Sequence, residues 1–406
     1  MRRIAVVSVH GCPLAQVGEK DTGGMSVYVN QLARHLGMLG IKVDLFTRAH
    51  SPKDPAIIKL GRNVRVVHIK AGPFKAPKDS IPQYLGMFLD GVIRFQKSEA
   101  CNYDLLHSHY WFSGSVALEL ALAWRIPHVA TFHTLAEIKR RARIGEQESD
   151  NRISVEHSIA ASADSIIVST EHEKQSLRRL YHVPENKVVV VAPGVDLENF
   201  CPGSQTHARA KLGLNGDRTL LFVGRMDPIK GLEVLLHAIA SMDKPSNIKL
   251  LVVGGNDGQD FQQEHYKELS RTLLITDQVK FLGRAEHRDL PVYYQAADIT
   301  VVPSYYESFG LVALEAMACG TPVVAARVGG LQTMVKDSHT GYLVPWHCPD
   351  AFADRLEILL ANEGLRKSMG KEARVAAQEM GWAKTAKWVS LSYQSLWGKV
   401  DFVAKN

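Results

Sequence analysis

The chain has 406 residues, of which 46% are hydrophobic and 22% charged, and its formal net charge is +6. This length exceeds what one ordinary hydrophobic core supports, so the sequence predicts a globular chain with two domains. No block of Lys and Arg resembles a nucleic-acid-binding arm, and the densest basic cluster, KRRAR at 139–143, is isolated. The modest positive charge suits a small phosphorylated substrate as well as it suits a nucleic acid. We therefore expect no nucleic-acid partner.

The cysteines and the apolar runs restrict the compartment in which the chain works. The five cysteines lie far apart and never in C-x-x-C spacing, which argues for a reducing compartment and against a disulfide framework or zinc site. The apolar run at 3–9 is too short for a signal peptide and predicts a buried strand. No run of 18 apolar residues exists, so no transmembrane segment is predicted. We expect a cytoplasmic protein.

In the first half, short β-branched runs alternate with helical stretches. Predicted strands lie at 3–9, 42–48, 65–70, 105–109, 128–133, 165–170 and 187–193, and an amphipathic helix is predicted at 25–40. Alternation of this kind indicates a parallel sheet with helices on both faces.

A second series of the same kind follows. Its predicted strands lie at 219–226, 249–255, 279–284, 299–304, 321–326 and 341–345, with helices at 231–242, 265–275 and 382–400. Because Pro, Gly and Asp cluster at 192–205, we place domains at 1–196 and 197–381, followed by a C-terminal helix within 382–406. The predicted fold class is α/β, with two Rossmann-like, doubly wound domains facing across a cleft and ligands at the carboxyl ends of the strands.

Paired glycines, Gly23 and Gly24, precede the first predicted helix. Such glycines let a backbone approach a ligand closely, and the first N–H groups of a helix can bind an anion. An ordinary strand-to-helix turn capped by Asp21 or Thr22 explains the same pattern, and the glycines alone favour that simpler explanation.

Two cations follow the predicted strand that ends near Val223. Arg225 and Lys230 lie in GRMDPIKG, just before a helix. Together they can neutralise a diphosphate, the lysine as a point charge and the arginine as a fork. The alternative is a solvated surface pair, which is usual for scattered cations but less so beside a glycine at a strand end.

Two glutamates, Glu307 and Glu315, flank a helix start in SYYESFGLVALEAMA. Glu307 follows the strand predicted at 299–304, and Gly310 would let backbone N–H groups face a ligand. Glu315, one to two turns into the helix, can accept both hydroxyls of a ribose. The alternative is a capping acid at Glu307 and a paired helix acid at Glu315.

The spacing Glu307-x7-Glu315 with SFGL, together with GRMDPIKG and DTGG, resembles the retaining nucleotide-sugar glycosyltransferases of family four, which have the GT-B fold of two Rossmann domains. The resemblance extends over essentially the whole chain, and the motifs are specific as a set. It implies that Glu315 holds the nucleotide ribose, that Glu307 contacts the donor sugar, and that Arg225 and Lys230 bind the diphosphate.

The same resemblance completes the donor site. It implies that Gly23 and Gly24 approach the diphosphate from the first domain, that Arg284 contacts the base, and that the last helix crosses back to the first domain. The turn between the two glutamates would supply Phe309, Gly310 and Leu311.

Cations and a helix N-terminus can stabilise a diphosphate leaving group without a metal ion. The sequence has no Asp-x-Asp motif for a metal, and DGQD at 257–260 is a loop to which we assign no role. We therefore predict no metal site and no required cofactor, and we expect Mg²⁺ not to be essential.

Within this family, the first half resembles enzymes that glycosylate a phosphorylated polyol or sugar, above all inositol phosphate, with sucrose-phosphate synthase as a near relative. The resemblance lies in HSHYW at 107–111, FHTLAEIKRRAR at 132–143 and SDNRISVEH at 149–157. It implies an acceptor site containing His10, Lys78, Tyr110, Thr134 and Arg152, and it puts His133 with the catalytic residues. Without it, the two cations would be interpreted as surface charges and the strand-end histidine as structural.

One residue departs from the inositol-phosphate pattern. This chain has GGMS, with Ser26, where GGMN is usual and the asparagine contacts the inositol ring. A hydroxyl cannot make the same two-sided amide contact. Ser26 therefore argues against inositol itself as the acceptor but leaves the phosphate pocket intact. From the resemblance as a whole we expect transfer of a hexose or N-acetylhexosamine from a UDP-sugar to a phosphorylated acceptor, although UDP-glucose, UDP-N-acetylglucosamine and a GDP-sugar all suit this architecture. The alternative within the family is transfer from UDP-glucose to fructose 6-phosphate.

Two functions from other classes are also weighed. A UDP-sugar 2-epimerase would need carboxylates and histidines placed for proton transfer at a sugar carbon, but no phosphate site in the first domain. A nucleotide-sugar-binding module without turnover would not need Glu307, Arg225, Lys230 and His133 together. A homodimer is an open alternative to a monomer.

Overall fold

The computed structural model describes residues 2–14, 23–143, 145–214, 216, 218–243, 248–255, 261–345 and 348–403. These residues form two compact units, one containing residues 2–14, 23–192 and 382–403, the other residues 193–381. Asp21, Thr22 and the loop at 257–260 lie outside the described residues.

The first unit is built on an eight-stranded sheet. Its strands are β1 (Arg3–Val7), β2 (Lys42–Arg48), β3 (Ile57–Gly61), β4 (Val64–Ile69), β5 (Leu105–His109), β6 (His128–Thr131), β7 (Ser165–Val168) and β8 (Val188–Val190), in the order β3-β4-β2-β1-β5-β6-β7-β8. Its helices are α1 (Gly24–Met38), α2 (Leu85–Ser98), α3 (Trp111–Trp124), α4 (Ala136–Ala142), α5 (Asp150–Ser162) and α6 (Glu171–Tyr181).

The second unit is built on a six-stranded, all-parallel sheet. Its strands are β9 (Arg218–Val223), β10 (Ile248–Val253), β11 (Val279–Gly283), β12 (Ile299–Val302), β13 (Val323–Ala326) and β14 (Gly341–Val344), in the order β11-β10-β9-β12-β13-β14. Its helices are α7 (Gln205–Lys211), α8 (Leu232–Ser241), α9 (Phe261–Thr272), α10 (Leu290–Ala296), α11 (Leu311–Ala318), α12 (Leu331–Met334), α13 (Pro349–Ala361) and α14 (Glu363–Gln378).

Both sheets follow the predicted doubly wound α/β pattern. The interior strands could be predicted because parallel strands buried on both faces appear in the sequence as nearly continuous apolar runs. The prediction missed β3, which pairs antiparallel with β4 at the sheet edge. Only one of its five residues is buried, so it lacks the apolar signal of an interior strand.

The domain boundary predicted between 196 and 197 is wrong by a few residues, since the structure divides the chain between 192 and 193. Val195 already belongs to the second unit, because its backbone N–H donates to the carbonyl of Met380 at 2.8 Å and it forms a bridge with Gly381.

The last helix, α15 (Trp382–Val403), belongs to the first unit. It packs on α1, with the rings of Trp382 and Tyr28 edge to face at 5.5 Å. Tyr393 is fully buried, and its hydroxyl lies 2.7 Å from Nδ1 of His107. Among its aromatic side chains, Trp388 differs, since it is 56% exposed. None of the described helices combines the length and apolar character that crossing a membrane requires.

Candidate active site

In the second unit, the ends of two neighbouring strands bring Lys230 and Glu307 together. The chain leaves β9, makes a 3-10 turn at Pro228–Lys230 and places Nζ of Lys230 2.7 Å from Oε2 of Glu307, which follows β12. Gly231, with φ +70°, lets the turn approach the end of β12, because a Cβ there would lie 2.1 Å from the carbonyl oxygen of Pro303. The pair of Lys230 and Glu307, which the sequence analysis did not predict, is therefore held at this sheet edge by close backbone packing.

The two predicted arginines lie at the carboxyl ends of β9 and β11. Arg225 is about half exposed, and its Nη2 lies 3.1 Å from Oδ2 of Asp227. Asp227 in turn caps the 3-10 turn by accepting from the N–H of Ile229 at 3.2 Å. Arg284 donates from Nε to the carbonyl of Gly255 at 3.1 Å.

The start of α11 lies against Glu307. Gly310 is the N-terminal cap with φ +96°, and Leu311 is the first helical residue. Phe309 is buried, and the N–H of Gly330 donates to the carbonyl of Glu307 at 3.0 Å. The first N–H groups of a helix lack intrahelical partners and favour an anion, so this turn supplies positive potential beside Lys230.

Glu315 lies inside α11 and is only 5% exposed. Its Oε1 lies 2.6 Å from Nε2 of His287, and its Oε2 accepts from the hydroxyl of Tyr294 at 2.8 Å. Burial opposes the charged imidazolium, but the neighbouring carboxylate outweighs it and raises the pKa of His287 above its ordinary value. A carboxylate has about four acceptor sites, so two remain for further donors.

Sequence analysis did not identify His287 and Tyr294 as partners of Glu315. They lie 28 and 21 residues before it, on a 3-10 turn and on α10. The only available signal was physical: a carboxylate in an apolar helix needs buried donors, and a His and a Tyr are suitable ones.

The paired glycines open α1 as predicted. Gly23 is the cap, with φ −168°, and Gly24 is the first helical residue. That φ is extended backbone that any residue adopts, and a Cβ at Gly23 would meet no described atom within 4 Å. Internal packing therefore does not require glycine at this position, which leaves close approach of a ligand as an explanation.

The first unit gathers the predicted acceptor residues around the ring of Tyr110. Nζ of Lys78 lies 4.9 Å from the ring centroid and Cζ of Arg152 lies 5.0 Å from it. The imidazole of His10 packs on the same ring at 4.5 Å. Burial, followed by the charge of Lys78, lowers the pKa of His10 well below its ordinary value, so this ring is neutral. Two cations and a neutral polar ring thus lie against one aromatic ring.

Arg152 is buried and strongly engaged. It donates to Glu156 at 2.7 Å and to Glu148 at 2.9 Å, and to the carbonyl and hydroxyl oxygens of Thr134 at 2.9 and 3.0 Å. These four bonds use most of its five N–H donors. Arg152 therefore fixes Thr134 beside Tyr110, and Lys78 is the more adaptable cation of the two.

His133 follows β6 and lies next to His109, with its Nε2 3.0 Å from Nδ1 of that residue. Both His133 and Tyr110 have positive φ, +61° and +75°. A bulky residue in this region is strained, and strain of this kind concentrates at functional sites. His109 was not among the predicted site residues.

Metal ligation has no evident place in this arrangement. Within the described part of the chain, no group of three or more His, Cys, Asp and Glu side chains is placed to hold a metal ion.

Two family descriptions match this chain. Residues 22–199 match Glycosyltransferase Family 4, and residues 204–376 match Glycosyl transferases group 1.

Similar proteins extend over nearly the whole chain. A D-inositol 3-phosphate glycosyltransferase of Corynebacterium diphtheriae is 42% identical over 401 residues, covering 96% of this chain and 94% of that protein. A second protein of that name, from Kribbella flavida, is 42% identical over 406 residues, covering 97% and 96%.

Solved structures show the same architecture. Sucrose-phosphate synthase from Thermosynechococcus elongatus is 36% identical with a TM-score of 0.92, covering 98% of this chain and all of that one. Anabaena HepE, solved in complex with UDP-glucose, is 20% identical with a TM-score of 0.80, covering 98% and 100%, and this likeness bears on the fold alone.

Proposed function

This chain belongs to the GT-B glycosyltransferases of family four, and from that premise we propose that it transfers a hexose or N-acetylhexosamine from a UDP-sugar to a phosphorylated polyol or sugar, with retention at the anomeric carbon. The observation that carries the acceptor class is the arrangement around Tyr110. Two cations, Lys78 and Arg152, lie within about 5 Å of one ring centroid beside Thr134. Such a group suits a phosphate on a small hydroxylated molecule.

The second unit would hold the donor. Glu315 would accept the ribose hydroxyls, and Glu307 would contact the sugar. The ammonium of Lys230 has three N–H donors, so its bond to Glu307 leaves two for a diphosphate oxygen. Arg225 would reach the diphosphate by leaving Asp227, which its partial exposure allows. Arg284 would contact the base.

The proposed reaction would use these residues in the following way. The bond between the anomeric carbon and the diphosphate breaks through an oxocarbenium-like state, and the acceptor oxygen forms the new bond on the same face. The acceptor proton passes to the departing phosphate oxygen. Lys230, Arg225 and the N-terminus of α11 would stabilise the charge that develops on the diphosphate. We assign no protein nucleophile and no essential metal ion.

Two acceptors are favoured by specific relatives. The curated relatives at 42% identity are named for D-inositol 3-phosphate, and the solved relative at 36% identity is a sucrose-phosphate synthase. Ser26 is a residue through which the two acceptors could be distinguished. It is buried, and its hydroxyl has no hydrogen-bond partner among the described atoms. A substrate hydroxyl could supply that partner. Family membership favours transfer over the epimerase and the binding module.

The test is a substrate panel with the purified full-length chain. UDP-glucose, UDP-N-acetylglucosamine and a GDP-sugar are each incubated alone and with inositol 3-phosphate, fructose 6-phosphate, inositol or fructose. We expect nucleotide release only with a UDP-sugar and a phosphorylated acceptor, unchanged by EDTA, and an α-linked product. Release with the unphosphorylated acceptors at equal efficiency would contradict the phosphate site. UDP-N-acetylmannosamine formed from UDP-N-acetylglucosamine alone would establish the epimerase.

The proposed donor site is tested separately, by measuring the affinity for UDP. Glu315→Ala should weaken UDP binding about tenfold in calorimetry, because it removes the acceptor of two ribose hydrogen bonds. Glu286→Ala, at an acid with no role in the proposed site, is the control for a lost negative charge nearby. Unchanged UDP affinity in Glu315→Ala would remove this residue from the donor site.

A further inference from the structure

A second histidine of the first unit, His109, lies within hydrogen-bond distance of His133. His109 ends β5, is fully buried, and has its Nδ1 3.0 Å from Nε2 of His133. The ring of His107 lies against it at 4.2 Å between centroids. Tyr28 packs edge to face on both His109 and His133, at 5.8 and 5.1 Å. The two imidazoles are therefore held in one mutual orientation.

Both imidazoles are neutral near pH 7. Burial lowers the pKa of His133 to about 3. Burial, followed by the neighbouring His107 and His133, lowers the pKa of His109 well below its ordinary value. Between two neutral imidazoles one nitrogen donates and the other accepts, and this choice fixes the protonation of the remaining nitrogen of each ring.

The far nitrogen of His109 decides the direction of the bond. Nε2 of His109 is buried and has no hydrogen-bond partner among the described residues. If His109 accepted from His133, this nitrogen would carry a buried N–H with nothing to receive it. If His109 donates, the same nitrogen has only an unused lone pair. Orphaned buried donors are the rarer case, so donation from Nδ1 of His109 is favoured.

We propose that His109 is a positioning residue that donates to Nε2 of His133 and holds His133 as the tautomer with its proton on Nδ1. This inference rests on the proposed function and on the family resemblance that puts His133 with the catalytic residues. With Nε2 engaged by His109, any hydrogen bond that His133 makes through Nδ1 is one that it donates. His133 therefore does not act as a general base toward the acceptor hydroxyl.

The tautomer can be observed without any substrate. Long-range ¹H–¹⁵N correlation spectra of the full-length chain, labelled with ¹⁵N-histidine, separate protonated from unprotonated ring nitrogens. The chain has 17 histidines, so the loss of signals in His133→Phe and His109→Phe gives the assignment. We expect Nδ1 of both rings to be protonated near pH 7.5. A proton on Nε2 of His133 would overturn the inference, whatever the enzyme transfers.

Kinetics test the consequence for turnover. His109→Asp places an acceptor where Nδ1–H was and forces the opposite tautomer, so kcat should fall at least about tenfold with little change in the KM for the UDP-sugar. His109→Asn keeps an N–H donor near the same position and should rescue most of this loss. Equal kcat for the Asp and Asn variants, both folded by thermal melting, would overturn the inference.

A matched control variant separates the loss of His133 positioning from a general loss of protein stability. His128 is also a buried strand histidine, bonded through Nε2 to the hydroxyl of Ser108 at 2.8 Å. His128→Asn should lower the melting temperature and leave kcat unchanged. If wild-type protein transfers no sugar from any donor in the panel, the proposed function fails, while the spectra still decide the tautomer.

Discussion

Lys78 and Arg152 approach the same aromatic ring but differ in what else they contact. Arg152 is tied to two glutamates and to Thr134, whereas Lys78 is only partly buried and has a flexible side chain. We predict that Lys78→Ala raises the KM for the phosphorylated acceptor about tenfold and the KM for the UDP-sugar little, because it removes a charge-assisted bond to the phosphate.

The comparison variant is Lys42→Ala, at an exposed lysine where β2 begins, on the amino edge of the same sheet. It removes the same charge without touching the ring of Tyr110, so both KM values should stay at the wild-type level. Equal increases in the two KM values for Lys78→Ala would count against the acceptor assignment.

We expect the pair of His287 and Glu315 to make UDP binding dependent on pH. Its pKa is raised above 6.5 by the carboxylate of Glu315, against the effect of burial. Because the folded pKa exceeds the unfolded one, the contribution of this pair to stability is complete below about pH 6.5 and is lost as pH rises through the raised pKa. We predict that UDP affinity and the stability of the second unit fall together over that range.

The measurement is UDP titration and denaturant unfolding at several pH values between 6 and 9. His287→Gln retains a donor to Glu315 but cannot titrate, so both of its curves should lack the decline seen for wild type. A decline of the same size in His287→Gln would show that another group is responsible.

At the scale of elements, α11 depends on one glycine at its start. Gly310 has φ +96°, and a Cβ there would lie 2.6 Å from Cδ2 of Leu331. We predict that Gly310→Ala lowers the free energy of unfolding by about 1–3 kcal/mol, from left-handed strain and the clash, and weakens UDP binding by turning the first N–H groups of α11.

Gly213→Ala provides the matched control in the same unit. Its φ is +64° and a Cβ there would meet no described atom within 4 Å, so this position, which follows α7, has the conformational strain without the clash. It should lose about 1 kcal/mol of stability and keep full UDP affinity. Full affinity in Gly310→Ala would show that α11 does not contact the diphosphate.

The elements that were predicted well from the sequence are those whose apolar pattern lies within their own residues. Interior strands such as β9 and β12 are continuous apolar runs, and α1 is amphipathic. The edge strand β3 has one buried residue of five and pairs antiparallel, so it has no such signal. The same distinction holds at the site. Glu307 and Lys230 stand out by motif, whereas His109, His287 and Tyr294 matter through contacts distant in sequence.

At the scale of the whole molecule, the two units differ in how the chain builds them. Among the described residues, the second unit is one segment, 193–381, whereas the first takes its last helix, α15, from residues 382–403. The buried apolar residues of α15 are Trp382, Ala386, Val389, Tyr393, Leu396 and Trp397. Since a large buried apolar side chain contributes about 1.5–3 kcal/mol, their loss is on the order of 10 kcal/mol, comparable with the whole stability of a domain.

We therefore predict that a fragment of residues 193–381 folds cooperatively and binds UDP, whereas residues 1–192 alone aggregate. Without α15, the bond from Tyr393 to the buried His107 is also lost, at a cost of about 1–3 kcal/mol. Joining residues 382–406 to residues 1–192 by a flexible linker should restore a cooperative melt, and the same linker with the helix sequence scrambled should not. A monomeric, cooperatively melting 1–192 fragment would show that the first unit does not depend on α15.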